Sequence, residues 1–262
     1  MALKPSQIKE FANALIEAET HYAPIPPLTA SVPDMSAADA YAVQMEVLKH
    51  RLHLGHRIVG RKVGLTSKAM QQMLNVDQPD YGAILEDMLI KDGASYEVKS
   101  LLQPRIEAEV AFMMKKPLKG PNVTIEQVMD ATDFVFPALE VIDSRIKDWK
   151  IKLADTIADN ASSARVVVGN AKAHPRGMQL DKVELVFEKN GKEIARATGE
   201  AVLGNPANAV AWCANKLAEF GTSINAGDLV MPGALAAATP VAGGDTIKAT
   251  FSGIGSVSVK FV

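Results

Sequence analysis

Cysteine occurs once in the 262 residues, at Cys213. No intrachain disulfide can form, and such usage fits a reducing, cytoplasmic setting. The lone thiol lies in AVAWCANKLAEF, where apolar residues recur at helical spacing, and reads as a small buried hydrophobe, not as a nucleophile. Neither sign of charge is in excess: 28 Lys and Arg stand against 30 Asp and Glu. A surface that tracks phosphates needs a clear basic surplus, so nucleic acid is not an expected partner. No apolar run reaches the roughly 20 residues of a membrane-spanning helix. The opening MALKPSQIKEFANALIEAE has no continuous apolar core of a secretory signal, and none is expected. Repeats and low-complexity linkers are absent. Glycine-rich stretches lack the pattern that cradles a dinucleotide: SGIGSVS misses the third glycine, and VAGGD reads as a turn.

What is present is 48% hydrophobic residues and length enough for a substantial core. Ile8, Phe11, Ala12, Leu15 and Ile16 recur as in a helix, with Ser6 as its N-cap. The four prolines of YAPIPPLTASVPDM interrupt it with an extended connector. Ser36 and Asp39 have capping-box spacing and open a second helix that runs to about His53. His50, His53 and His56 follow one another at intervals of three, but no carboxylate or cysteine nearby completes a zinc site. They read as solvated residues at a helix C-terminus.

From Arg57 the pattern turns to strands, in RIVGRKVGL, RIEAEVAFMM, FVFPALEVID, GDLVMPGAL and GDTIKATFSGIGSVSVKFV. KVELVFEKNGKEIARATGE reads as a hairpin turning at Asn190-Gly191 in type I′ geometry. Helices are predicted at TSKAMQQMLNV, TIEQVMDATD and PANAVAWCANKLAEFG, the last closed by Gly221. The expected class is α+β: a helical region over residues 1–56 and a mixed, mainly β, metal-binding catalytic domain over 57–262.

Within QPRIEAEVAF, Glu107 and Glu109 project to one face of a strand whose other face is Ile106, Ala108, Val110 and Phe112. An edge strand with one face in water would explain that alternation. The explanation weakens at FVFPALEVID, apolar on both faces and so a buried strand, because Glu140 sits inside it. An unpaired buried carboxylate costs several kcal/mol and needs a cation or a proton. Three glutamates together make a hard oxygen site, suited to Mg²⁺ or Mn²⁺ more than to zinc. Mg²⁺ keeps exchangeable positions, which a 2-oxo or 2-hydroxy acid can fill through its carboxylate and C2 oxygen. Lys62 shares a strand face with Gly60 and Gly64, which leave room for close approach; a snorkelling surface lysine is the competing reading. Asp80 falls in the polar loop DQPDYG, where turn formation competes. Asp155, Asp159, Asn160 and Ser162 lie in DTIADNASSA, which also reads as an Asx-capped helix start. Asp143 and Arg145 follow the third glutamate and read as surface ion pairing.

The stretches GRKVGLTSKAMQQMLNVDQPDYG, PRIEAEVAF, PALEVIDSRIKDWKIKLADTIADNAS, LGNPANAVAWCANKLA and GIGSVSVKF resemble the 2-hydroxypenta-2,4-dienoate hydratases, in the hydratase/decarboxylase branch of the fumarylacetoacetate hydrolase superfamily. The likeness runs from Pro33 to Val262. It implies a mixed β-sandwich-like roll behind a helical N-terminal part, and a homo-oligomer that associates with a neighbouring pathway enzyme as a hydratase–decarboxylase pair. It also implies Mg²⁺ or Mn²⁺ on Glu107, Glu109 and Glu140. By the same likeness Lys62 is the active-site lysine, Asp80 and Asp155 occupy the acidic catalytic positions, and Thr66, Asn160 and Ser162 contact substrate. The expected reaction is metal-dependent hydration of a 2-hydroxy-2,4-dienoate. 4-Oxalocrotonate decarboxylation on the same scaffold is the alternative: MPGALAAATPV is similar to the GGITAAVPV stretch of some decarboxylases. The catalytic histidine of the fumarylacetoacetases has no equivalent, which argues against C–C bond hydrolysis. A non-catalytic oxo-acid-binding protein with a structural cation is the rival from another class.

Overall fold

The computed structural model describes residues 3–67, 71–72 and 76–262; most of the helix expected at 66–76 lies outside the described residues. Pro5–Thr20 (α1) starts with proline at its first helical position, where a missing N–H costs nothing and the fixed φ is already helical. Lys4 is therefore the N-cap residue, and Ser6 sits inside the first turn. The proline-rich connector is not wholly extended: Leu28–Ser31 (α2) makes one helical turn. Its capping acceptor comes from far along the chain, since Asp155 accepts from Thr29 N at 3.0 Å and from Thr29 Oγ1 at 2.7 Å. Ala37–His53 (α3) has the expected reciprocal cap between Ser36 and Asp39.

Two sheets follow. The larger runs in the order Asp80–Leu85 (β2), Ile58–Gly64 (β1), Leu229–Met231 (β10), Arg105–Met114 (β5), Thr132–Ile142 (β6), Ser163–Val168 (β7) and Leu89–Lys91 (β3), with Thr239–Pro240 (β11) added to β5. The smaller runs Ser95–Tyr96 (β4), Gly255–Phe261 (β13), Thr246–Phe251 (β12), Glu184–Lys189 (β8) and Lys192–Thr198 (β9). Three pairs are parallel: β1 with β10, β3 with β7, and β4 with β13. β8 and β9 form the expected hairpin, and Asn190 and Gly191 both take positive φ, at 55° and 73°. Further α-helices among the described residues are Ile125–Ala131 (α4), Leu153–Ala158 (α5) and Pro206–Ala218 (α6).

The alternation of β5 sorts its side chains. Ile106, Ala108, Val110 and Phe112 join Leu139 and Val141 of β6 and Ile247, Ala249, Phe251, Val257 and Val259 of the smaller sheet in one buried cluster. Leu3, Ala12, Leu15, Tyr41 and Val43 belong to that same cluster, so the helical N-terminal region packs into the common core. The other face of the larger sheet carries a small apolar group, including Ile84, Phe136, Ala138, Leu229 and Met231. Glu107, Glu109 and Glu140 stand on this second face.

Candidate metal centre

β5 and β6 are central strands, and their register sets Glu107 directly opposite Glu140, with Glu109 opposite Ala138. The bland reading of β5 as an edge strand is thereby excluded. One carboxylate oxygen from each glutamate lies within 4.8 Å of the others. Glu109 and Glu140 are 0% exposed, and Glu107 is half-buried. Glu109 Oε2 accepts from the backbone N–H of Gly233 at 2.7 Å, and Glu140 Oε1 from Ser163 Oγ at 2.7 Å. The second oxygens, Glu109 Oε1 and Glu140 Oε2, are buried and have no hydrogen-bond partner. Orphaned buried acceptors of this kind demand a cation or a proton. Two oriented carboxylates, each with one oxygen that accepts no hydrogen bond, and a third on the open side form an all-oxygen donor set that fits Mg²⁺ or Mn²⁺. Gly233, at φ 119°, brings its N–H here; a Cβ on it would stand 2.0 Å from Thr66 Oγ1. Among the described residues no histidine joins such a group, and His56 instead lies 3.3 Å from Asp87.

Lys62 is 4% exposed, not snorkelling. Its Nζ donates to the Ala161 carbonyl at 2.8 Å and lies 3.5 Å from Glu140 Oε2. Burial opposes its charge, but Glu140, Asp80, Glu107 and Glu109 together keep the ammonium protonated, above its usual range. Asp80 is the first residue of β2, opposite Gly64, and not part of a turn. A Cβ at Gly64 would lie 2.2 Å from Asp80 Oδ1 and 3.3 Å from Lys62 Nζ. The missing side chain is what lets acid and ammonium approach one another. Asp80 Oδ2 takes a 3.3 Å bond from Thr156 Oγ1, while Oδ1 is buried with no hydrogen-bond partner. Burial raises the Asp80 pKa, against the pull of Lys62.

The other expected residues stand differently. Both oxygens of Asp155 are engaged, with Thr29 and with the Lys152 N–H at 2.9 Å, as in a helix cap. Asn160 clamps Ala83, accepting from its N–H at 2.8 Å and donating to its carbonyl at 2.9 Å. Thr66 is buried against Gly233. Ser162 Oγ is buried and unpartnered. Asp143 and Arg145 are no surface pair: both are buried, and Arg145 is ion-paired with Asp159. Cys213 is fully buried, its thiol pushed up to about 12 by burial. Ser163, Gly233 and the Ala161 carbonyl are the site groups that sequence reading missed. Ser163 and Ala161 lie inside DTIADNASSA and Gly233 inside MPGALAAATPV, but nothing local marked a backbone carbonyl, a backbone N–H or that serine as a site group.

The electrostatics give a testable pH dependence for the metal-free protein. Burial, then Glu140 and Asp80 against Lys62, push Glu107 up to about 7 from an ordinary 4.5. Glu109, Glu140 and Asp80 shift the same way. Between those values the unfolded chain has released protons that the folded chain still holds, so stability falls as pH rises through the window. Each unit of such a shift is worth about 1.4 kcal/mol of stability once the group must ionise. The urea midpoint of chelator-treated protein is expected to drop from pH 5 to pH 7.5, and saturating Mg²⁺ to reverse the drop. A flat metal-free profile would contradict a crowded acidic cluster.

The fold and the carboxylate site together define a class, a β-rich scaffold that sets three glutamates and a lysine on one buried sheet face. The family model described as fumarylacetoacetate (FAA) hydrolase C-terminal matches residues 57–262, and the chain belongs to this family. The similarity to individual members extends across the N-terminal helices. The 2-hydroxyhexa-2,4-dienoate hydratase of Comamonas testosteroni is 44% identical, with 97% of each chain covered. The 4-oxalocrotonate decarboxylase of Pseudomonas sp. (strain CF600) is 42% identical over 99% of this chain and 98% of its own. The solved structure of 4-oxalocrotonate decarboxylase from Pseudomonas putida G7, complexed with magnesium and adipate, superposes with a TM-score of 0.97 at 39% identity, covering 100% of this chain and 99% of that one.

Proposed function

We propose that the protein is a divalent-metal-dependent hydro-lyase that hydrates 2-hydroxypenta-2,4-dienoate, or a close 2-hydroxy-2,4-dienoate, to a 4-hydroxy-2-oxo acid in meta-cleavage aromatic catabolism. The observation that carries this reading is a buried acid with a free oxygen, Asp80, set beside the glutamate trio across Lys62. Hydration needs what that pairing offers: an electron sink for an enolate and a separate group that moves protons.

Glu107, Glu109 and Glu140 would hold Mg²⁺ or Mn²⁺, which supplies Lewis acidity toward the carboxylate and C2 oxygen of the substrate. Lys62 keeps a fixed ammonium beside the C2 oxygen while negative charge grows there. Asp80, whose pKa burial raises against the pull of Lys62, delivers a proton to C5 as the C2 hydroxyl proton leaves to solvent, giving the conjugated 2-oxo-3-enoate. As carboxylate, Asp80 then takes a proton from the water that adds at C4, which restores its acid form, and the proton released from the C2 hydroxyl is made good from solvent at C3, so that the cycle adds one water and nothing else. The unpartnered Ser162 hydroxyl orients the substrate carboxylate or that water, and Thr66 closes the wall beside Gly233. Asp155 has no oxygen to spare, so the acid/base role falls to Asp80, while Asp155 and Asn160 brace the elements around it. Homo-oligomer formation, pairing with a companion pathway enzyme and a cytoplasmic location belong to the same proposal. Among the described residues no helix is long and apolar enough to cross a membrane.

A second reading, decarboxylation of 2-oxo-3-hexenedioate, is favoured by Arg105. It follows the alternation of Glu107 and Glu109 on β5, lies 4.7 Å from the Trp149 ring centroid, and makes no ion pair with a carboxylate among the described residues. Such a cation suits the distal carboxylate of a diacid. Incubating the protein and Mg²⁺ in parallel with freshly generated 2-hydroxypenta-2,4-dienoate and 2-oxo-3-hexenedioate separates the readings. A product heavier by one water from the monoacid supports hydration; CO₂ from the diacid supports the second reading. Tight metal retention with turnover of neither acid points to a binding protein. If the diacid is a substrate, Arg105→Met should raise its KM about tenfold or more and leave that of the monoacid alone.

A further inference from the structure

We propose that Arg145 is a positioning residue: it holds the left-handed turn Asn160–Ser162 and, through the Ala161 carbonyl, fixes where the Lys62 ammonium stands. The inference rests on the role given to Lys62 above. Asn160, Ala161 and Ser162 take φ of 52°, 50° and 54° in succession. Each non-glycine residue in that region costs about 1 kcal/mol or more, so three in a row persist only when the surroundings impose them. The middle residue donates nothing to the turn with its side chain, yet its carbonyl is the acceptor of Lys62 Nζ at 2.8 Å.

The Asn160 amide on Ala83 and the Asp143 N–H on the Ser162 carbonyl, at 2.8 Å, hold points within the turn; the group that holds both of its ends is a single buried guanidinium. Arg145, 6% exposed, is ion-paired through Nε to the Asp159 carboxylate, and its Nη2 donates to the Asp159 carbonyl. Nη1 donates to the carbonyls of Asp143 at 2.7 Å and Ser163 at 3.2 Å. One planar group thus grips the residue before the turn and the residue after it, with the three strained residues strung between. The Asp159 carboxylate is completed by the Arg145 N–H at 3.0 Å and Ser144 Oγ at 3.1 Å. The same two anchor points lead directly into the site: Ser163 continues to Glu140, and the turn to Lys62.

A buried ion pair is weak evidence for stability, since an apolar filling of equal volume is often as stable. What an apolar filling cannot supply is several donors in a fixed plane that bridge three backbone carbonyls and a carboxylate, and lysine cannot supply it either. The arginine is therefore best accounted for by geometry. A displacement of Lys62 by an ångström at the reacting oxygen is sufficient to cost ~100-fold in rate.

The test compares Arg145→Met and Arg145→Lys with Asp143→Asn. Asp143 uses its carboxylate on the far side, accepting from the N–H groups of Leu102 and Gln103 at 2.7 Å each. Its replacement loosens the same region without removing a guanidinium bond. Mn²⁺ bound per chain, melting temperature, kcat and KM are measured for each. Both Arg145 variants are expected to bind one Mn²⁺ and to lose ~10- to 100-fold in kcat per bound ion, with KM within about threefold. Asp143→Asn should lower the melting temperature and leave kcat per bound ion within about twofold. An unchanged kcat per ion in Arg145→Met, or an equal loss in Asp143→Asn, overturns the proposal. A crystal structure of Mn²⁺-loaded Arg145→Met reads the same point without turnover: the turn should leave the left-handed region and Lys62 should release Ala161. Should the wild type turn over neither acid, the functional reading fails, and this structure alone decides: a retained turn refutes the role of Arg145, a lost one supports it.

Discussion

Glu140→Gln is expected to abolish metal-dependent turnover while making the metal-free protein more stable at pH 8. The two signs come from one cause. At that pH the metal-free site holds carboxylates under burial and mutual repulsion, with Lys62 as the nearest compensating cation, 3.5 Å from Glu140. Glutamine keeps the shape and still accepts from Ser163 through its amide oxygen. It removes one buried charge, so the folded metal-free chain loses a penalty that the unfolded chain never carried. It also removes a third of the anionic donor set and turns an NH₂ group toward the free position. Loss of a ligand charge in a site that stabilises a developing oxyanion is worth several kcal/mol, which is a fall in kcat/KM on the order of a thousandfold or more. The measurements are turnover against Mg²⁺ concentration, and thermal melting in chelator with and without added ion. Full activity of the variant in metal-free buffer would refute the site. A metal-free variant less stable than wild type at pH 8 would show that the ion pair of Glu140 with Lys62 outweighs the repulsion among the buried carboxylates.

Glu140 was also the residue most readable in advance. An acidic side chain in a strand apolar on both faces has few bland explanations, and the strand proved to be central, with its carboxyl fully buried. Glu107 and Glu109 gained meaning only from it, because their alternation alone fits an exposed edge. Asp80 was harder. Its neighbours Pro79 and Gly82 speak for a turn, and only the pairing of β2 against β1, with Gly64 opposite Asp80, makes it a strand residue. That pairing is nonlocal, and no local propensity encodes it. The turn at Asn160–Ser162 shows the same limit more sharply: asparagine tolerates the left-handed region, but alanine and serine give no hint of it. It is imposed by Arg145, whose local context, SRIKDWK, carries three basic residues and an aspartate and looks like solvated surface. Thr29 and Asp155 are 126 positions apart, so a helical turn in a proline-rich connector could not be foreseen either. What sequence pattern captures is the periodicity of each element and a chemically costly residue within it. What it misses is the partner that makes the cost acceptable.

Lys62→Met provides the second large effect, and it should separate catalysis from metal binding in the direction opposite to Glu140→Gln. Among the described residues the ammonium is the cation ion-paired to the trio, 3.5 Å from a Glu140 carboxylate oxygen that the divalent ion would use. Removing it takes away a competitor for that oxygen and leaves the four acids, Glu107, Glu109, Glu140 and Asp80, more strongly attractive to a divalent ion. At pH 8, where protons compete less than at neutral pH, Mn²⁺ affinity is therefore expected to stay equal or to tighten. Turnover should fall nonetheless, because a fixed positive charge beside the growing enolate oxygen is lost from a buried site where such charges act strongly. Removal of one preorganised donor of this kind costs about 10²- to 10³-fold in kcat, and methionine also leaves the Ala161 carbonyl without its donor. Isothermal titration with Mn²⁺ and steady-state kinetics on the same preparation read both quantities. If kcat and Mn²⁺ affinity fell together, Lys62 would be a prop for the metal site. If neither moved, it would have no part in the chemistry, and the buried ammonium would serve only to neutralise Glu140.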